Sequence, residues 1–290
     1  MTGDRKFLFT ITPGHSGTTW LADCLAANLP DSAVFHEILG YDRFGLDTPD
    51  LSHLTLFNSQ GNVEPVRAFW QRKAERILAR SECWYAETSH LLAKCGLLEN
   101  IDLFTRHGRV FIVCLDRDLL SLVRSMRRRH DMVNKGNQWL WHLDPDYPRK
   151  VVAAEFFRPY GVDGMRLWYG CEMRARAAYY RNLLGDSPGL SFLEASLESL
   201  GKERNLRALF NALGEGCQRA GALSIPARRN ASGPAVDDGD EVIAGVIEHM
   251  QFDPAQIAAG YIANGYRLGV VPDAACRASD KASDAALGLA

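Results

Sequence analysis

The residues best equipped for chemistry form one run, Thr12-Pro13-Gly14-His15-Ser16-Gly17-Thr18-Thr19, between a β-rich stretch at 7–11 and helical spacing that begins at Thr18. A loop in that position aims backbone N–H groups, hydroxyls and the positive end of a helix at one spot, where a phosphate-like anion binds well. Gly14 and Gly17 let the backbone approach such a guest closely. The run is not a Walker loop, because Thr18 follows Gly17 where a lysine belongs. A P-loop kinase or other nucleotide phosphotransferase, which would also need an aspartate arranged for magnesium, is therefore the weaker alternative. The plainest alternative is an ordinary glycine turn capped by Ser or Thr.

A second set follows the most apolar stretch of the chain, 110–115. Arg117, Ser121 and Ser125 are spaced by four, so on a helix they form a line along one face. Arginine offers a fork of donors and serine a hydroxyl, a combination suited to a terminal phosphate. Arg124, Arg127, Arg128 and Arg129 lie beside them and read first as a solvated basic face.

Together, His15-Ser16-Gly17-Thr18-Thr19-Trp20-Leu21 and the pair Arg117/Ser125 resemble the two signatures of the sulfotransferase family. The first is similar to that family's 5′-phosphosulfate loop and the second to its 3′-phosphate site, over roughly residues 6–29 and 109–129. The resemblance implies a P-loop-like α/β sandwich and 3′-phosphoadenosine 5′-phosphosulfate (PAPS) as sulfuryl donor. It further implies in-line transfer to an acceptor hydroxyl or amine, without a metal. Gly14, His15, Ser16, Gly17, Thr18 and Thr19 would hold the 5′ end of the nucleotide, and Arg117 and Ser125 its 3′-phosphate. A late basic loop with Arg228 and Arg229 would reach the same phosphate. One position departs from the pattern: His15 stands where the family has Arg or Lys. An imidazole carries full charge only when protonated, so activity is expected to weaken above neutral pH.

Transfer also needs a group to take the acceptor's proton. In carbohydrate and tyrosyl-protein members a glutamate lies just past the helix that follows the loop, and Glu37 occupies that place. The chain thus looks closer to those members than to the small-phenol type, with a slight lean toward a carbohydrate acceptor. His90 is the second choice, by similarity to the histidine of small-molecule members; Glu87 and His36 remain behind it. An adenine-stacking aromatic is expected among Trp70, Trp84 and Trp168, although Trp168 sits on a regular apolar stripe and reads first as core. A sulfotransferase-like protein that binds an anion without turnover stays open.

These groups need a frame. Strand-like runs at 7–11, 33–35, 84–86, 110–115 and 190–192 alternate with amphipathic segments at 18–28, 66–78, 119–126, 164–184, 205–213 and 241–250. Such alternation predicts α/β architecture, a three-layer sandwich of parallel sheet flanked by helices, with ligands at the carboxyl ends of the strands. Residues 41–63 read as an irregular insertion and 139–150 as a loop; both would shape the acceptor pocket. A single domain over 1–270 with a disordered tail at 271–290 is expected.

Composition narrows the classes. With 290 residues, 47% of them hydrophobic, the chain can bury one large core. A net charge of −2 speaks against nucleic acid or an anionic membrane as partner; a small-molecule or carbohydrate acceptor is what the family resemblance implies. The seven cysteines are scattered without CxxC spacing, which suits reduced thiols rather than disulfides or a metal cluster. The opening Met-Thr-Gly-Asp-Arg-Lys lacks the apolar core of a signal peptide, and no run reaches the ~18 to 20 apolar residues of a membrane helix. A cytoplasmic location is the expectation.

Overall fold

Strand β1 (Arg5–Ile11) has its last five residues wholly buried, which a parallel strand achieves only when both sheet faces are covered. The computed structural model describes residues 5–37, 48–133, 141–214, 222–227 and 239–270. Joining β1 are β2 (Ser32–Phe35), β3 (Trp84–Glu87), β4 (Gly108–Asp116) and β5 (Leu190–Ser196), in one all-parallel sheet ordered β2-β3-β1-β4-β5. β1 lies at the centre. Its Phe9 sits opposite Glu87 of β3, and its Phe7 and Ile11 sit opposite Val110 and Cys114 of β4. The helices are α1 (Thr18–Asn28), α2 (Leu51–Gln60), α3 (Glu64–Leu78), α4 (Asp102–Thr105), α5 (Leu119–Arg128), α6 (Gly161–Leu184), α7 (Leu197–Leu200), α8 (Glu203–Ala212), α9 (Asp240–His249) and α10 (Pro254–Ala263).

Alternate strand residues point to opposite faces. Phe7, Phe9, Ile112 and Cys114 enter the larger core cluster with α3, α5 and α6. Leu8, Phe111, Val113 and Leu115 enter the smaller one with α1 and α8. The fold is therefore the expected α/β type, a parallel sheet with helices on both faces. Adjacent strands β1 and β4 feed helices on opposite faces, α1 and α5, and that divergence opens a crevice at their carboxyl ends.

Several local expectations change. Part of the supposed irregular insertion is helix α2, started by an Asp50 cap that accepts from Ser52 N (2.8 Å) and His53 N (3.1 Å). Helix α10, also unforeseen, begins at Pro254 behind an Asp253 cap. None of Trp70, Trp84 and Trp168 offers a face to adenine. All three are core residues, and the indoles of Trp70 and Trp168 donate to the carbonyls of Cys95 (2.7 Å) and Val152 (2.9 Å). Nor is the basic side of α5 simply solvated. Arg124 and Arg127 bind Asp240 at 2.7 and 2.8 Å, and Arg127 also binds Asp163 at 2.8 Å, so this face docks α9 and the start of α6.

Cys24, Cys83, Cys95, Cys114 and Cys171 are free thiols. Burial pushes Cys24, Cys95 and Cys114 up to about 12, which leaves them unreactive. Among the described residues no helix is long and apolar enough to cross a membrane.

Under the sheet, Lys73 Nζ meets Glu87 Oε2 at 2.8 Å with both side chains inaccessible, and Tyr85 donates to the same oxygen at 2.6 Å. Removing one partner strands a buried charge, so Lys73→Met should destabilise the fold by ~3 to 5 kcal/mol in urea unfolding. Arg207→Ala, which breaks the exposed pair with Glu203, should stay within ~0.5 kcal/mol. Equal effects of the two substitutions would contradict this division.

Candidate functional site

The loop after β1 turns back on itself through left-handed backbone at Gly14 (φ 80°), His15 (φ 54°) and Gly17 (φ 83°). Its walls are close. A Cβ on Gly17 would lie 2.4 Å from Leu197 Cδ1, and one on Gly14 would lie 3.3 Å from His90 Cγ. Gly17 is the N-cap of α1 and brings no capping side chain, so the first-turn N–H groups are left to an incoming acceptor. The hydroxyls do internal work: Ser16 donates to the Gly14 carbonyl (2.9 Å), and Thr12 Oγ1 accepts from Gly14 N (3.3 Å). Left-handed backbone at a non-glycine residue costs about 1 to 2 kcal/mol. At His15 it is held by contacts on three atoms. The carbonyl accepts from Arg117 (2.5 Å), Nδ1 lies 3.2 Å from Ser125 Oγ, and Nε2 lies 2.7 Å from Asp131 Oδ2.

Both sequence signatures therefore meet. Arg117 follows β4, Ser125 lies in α5 eight residues further on, and both touch His15 of the β1 loop. Arg117 Nε is buried without a hydrogen-bond partner among the described residues, a donor that an anion would satisfy. Burial lowers the Arg117 guanidinium from its ordinary range, against the pull of Glu198. Ser121 contributes its N–H to the Asp118 cap of α5 (2.8 Å). Arg228 and Arg229 lie outside the described residues. The chain leading to them is fixed to α1, where Trp20 Nε1 donates to the Pro226 carbonyl (2.9 Å) and Asn28 exchanges two bonds with Ser224.

The two leading base candidates are partners of each other. Glu37 Oε2 lies 2.9 Å from His90 Nε2, and Glu37 Oε1 accepts from the His90 backbone N–H. On the other side of the ring, Lys94 Nζ sits 2.7 Å from His90 Nδ1 and also donates to Trp141 O (2.5 Å) and Tyr169 Oη (2.8 Å). Tyr169 in turn donates to Pro13 O (2.8 Å), in the loop itself. An ammonium has no lone pair to offer, so a charged Lys94 makes Nδ1 the acceptor and puts the ring hydrogen on Nε2, facing Glu37. Burial raises the Glu37 carboxyl, but the charge and hydrogen bond of His90 outweigh it and hold the group at about 2. Burial lowers His90, opposed by Glu37, and brings Lys94 down to about 7. We take Glu37 as the anion and His90 as the neutral member of the pair at pH 7.

The remaining base options are held by buried partners. Glu87 is tied to Lys73 and Tyr85 below the sheet. His36 bridges Thr19 Oγ1 (2.9 Å) and Thr88 Oγ1 (3.0 Å), and burial lowers its basicity. Because Thr88 donates onward to the Thr18 carbonyl (3.0 Å), it accepts from His36 Nδ1, and Thr19 must donate to Nε2. The Thr19 hydroxyl is thus committed to orienting the first turn.

Four residues of the site were missed from sequence: Lys94, Asp131, His142 and Tyr169. His142 lies with ring centroids 6.2 Å from both His15 and His90, and edge-on to Tyr169 at 5.0 Å. Sequence spacing showed no metal-ligand cluster, yet the fold brings ligand atoms of His15, Asp131 and His142 within 4.8 Å of one another. The only available signal was the histidine inside the aromatic stretch 139–150. A cavity of about 210 Å³ opens at the carboxyl ends of β1 and β4, lined by Thr12 and Pro13 at the start of the loop and by Asp116, Met173, Arg174 and Glu194.

No family model matches the chain, and no curated protein matches it. Among solved structures, a sulfotransferase from Alicyclobacillus acidocaldarius is similar at a TM-score of 0.43 and 12% identity, over 91% of this chain and 97% of that one. A likeness at that level carries no chemistry across.

The Glu37–His90 pair predicts an acid sensitivity. Glu37 is held below its ordinary value, so its contribution is complete above about pH 4.5 and is lost as pH falls toward about 2. Glu37→Gln should cost up to ~3 kcal/mol of unfolding free energy at pH 7, with the gap from wild type closing as pH falls through that window. A gap independent of pH would show that the carboxylate charge is not what stabilises the pair.

Proposed function

We propose that this chain binds PAPS in the β1–β4 crevice and transfers its sulfuryl group to an acceptor hydroxyl or amine. One observation supports the proposal: the loop after β1 and the β4–α5 junction, the two elements we assign to anion binding, converge, with Ser125 Oγ 3.2 Å from the ring of loop residue His15. The residues fit such a guest. Gly14 and Gly17 provide a cradle that a Cβ would fill, and the buried Arg117 Nε lacks a partner among the described residues. When bound, PAPS would supply the sulfuryl group and a phosphate leaving group.

The chain's own residues supply the rest. The uncapped first turn of α1 offers N–H groups to the 5′ end, in a crevice where fixed dipoles act strongly. Arg117 and Ser125 serve the 3′-phosphate. Glu37 and His90 act as one unit, the carboxylate fixing the imidazole and stabilising the charge it gains when it accepts a proton. That proton goes to Nδ1, the nitrogen beside Lys94 Nζ; burial lowers the Lys94 ammonium to about 7, so near neutral pH a neutral amine can stand there in place of the ammonium. Carbohydrate is the favoured acceptor class, on the placement of Glu37 alone.

Calorimetry with adenosine 3′,5′-bisphosphate tests the nucleotide half. Binding should be selective over ATP and AMP, and Arg117→Ala should weaken it by ~2 kcal/mol, about 30-fold. Equal binding of ATP, or indifference to Arg117, would return the site to the kinase-like alternative. For the catalytic half, Glu37→Gln should lower turnover ~10²-fold with bisphosphate affinity within about 2-fold of wild type. Nucleotide binding without product across a broad acceptor panel would favour a binding protein instead.

A further inference from the structure

We infer that His15, Asp131 and His142 form a binding site for a divalent cation of the zinc class. Their ligand atoms lie within 4.8 Å of one another, and His15 Nε2 is 2.7 Å from Asp131 Oδ2. Although it is that close, the buried Asp131 Oδ2 accepts no aligned hydrogen bond among the described residues. The two atoms adjoin without being aimed at each other, as co-ligands of one ion are. Metal–ligand distances of ~2.0 to 2.2 Å in a tetrahedron put ligand atoms about 3.3 Å apart, so small side-chain rotations complete the shell. Two imidazoles and one carboxylate favour zinc-like ions over magnesium, and three protein ligands leave a fourth position open.

Each ligand is already supported from behind, as metal ligands commonly are. Ser125 Oγ lies at His15 Nδ1, the nitrogen that would not bind the ion. Arg166 Nε and an η-nitrogen grip the Asp131 carbonyl at 3.0 and 2.7 Å, and Arg166 is itself paired with Asp163. His142 is buried with its ring against Tyr169, whose hydroxyl is tied to Pro13.

Charge explains why a cation belongs there. Without one, Asp131 adds a negative charge beside a loop built for an anion. Two neutral imidazoles, one carboxylate and a divalent ion sum to +1, the charge that a lysine or arginine would bring at position 15. A cation held this way does not depend on protonation of His15, and the expected weakening above neutral pH then no longer follows. This use of the ion rests on the nucleotide proposal; the binding site does not.

The test therefore uses the full chain without tag or nucleotide, stripped with chelator. Equilibrium dialysis against Zn²⁺ should give one equivalent per chain, and Co²⁺ should show the visible absorption of a low-coordinate nitrogen and oxygen site. His142→Ala and the isosteric Asp131→Asn should each weaken Zn²⁺ binding by more than about 10-fold. His130→Ala, at the exposed neighbouring histidine, should leave it unchanged, and excess Mg²⁺ should not compete. Substoichiometric Zn²⁺, or affinity unmoved by both ligand substitutions in folded protein, would overturn the inference. Adenosine 3′,5′-bisphosphate affinity, measured separately on zinc-loaded and stripped protein, reports on the nucleotide proposal, while the Zn²⁺ stoichiometry reports on the cation site alone.

Discussion

The bond from the Arg117 guanidinium to the carbonyl of His15 ties the end of β4 to the loop after β1, and most of the site depends on it. That loop holds a non-glycine residue in left-handed backbone between two left-handed glycines, a conformation that does not persist without outside support. Arg117 grips it from the β4 side, and Tyr169 grips the Pro13 carbonyl from α6. The ring of His90 closes over Gly14. With the loop so fixed, His15 reaches Ser125 and Asp131, and the uncapped start of α1 faces the same crevice.

The charge pattern around this loop is unlike a simple phosphate cradle. One exposed lysine would have been the shortest route to a positive site. Instead the chain surrounds the loop with three histidines, two carboxylates and a lysine buried beneath Tyr169. Every hydrogen-bond role in the Glu37–His90–Lys94–Tyr169 chain is determined once Lys94 carries its proton, so the network stiffens the loop as well as tuning the imidazole. The three-ligand cluster of His15, Asp131 and His142 fits the same picture, because it turns an otherwise repulsive carboxylate into part of a net cation.

What the sequence disclosed follows from range. The strands, the glycine loop and helices α1, α3, α5, α6, α8 and α9 are written in local periodicity and punctuation. Pairing Arg117 with the loop needed only the order of two strand ends. Helices α2 and α10 also had local signals, the caps Asp50 and Asp253-Pro254, but their apolar faces are narrow: Leu54 and Phe57 in one, Ile257 and Ala258 in the other. Arg127 read as solvated because its partners lie 36 and 113 residues away. The Asp131 and His142 contacts with His15 cross more than a hundred residues of chain, and no spacing rule reaches that far. Trp70 and Trp84 misled in the opposite direction, because aromatic type suggested stacking whereas the core took their rings; Trp168, on the apolar stripe of α6, is in the core as that stripe implied.

The central claim is that the β1 loop and the β4–α5 junction form a single nucleotide site. A crystal structure with adenosine 3′,5′-bisphosphate tests it most directly. The account predicts the 5′-phosphate on the backbone N–H groups of residues 16–19 and the 3′-phosphate on Arg117 and Ser125. A nucleotide bound away from both elements, with the loop still closed on its own contacts, would contradict it.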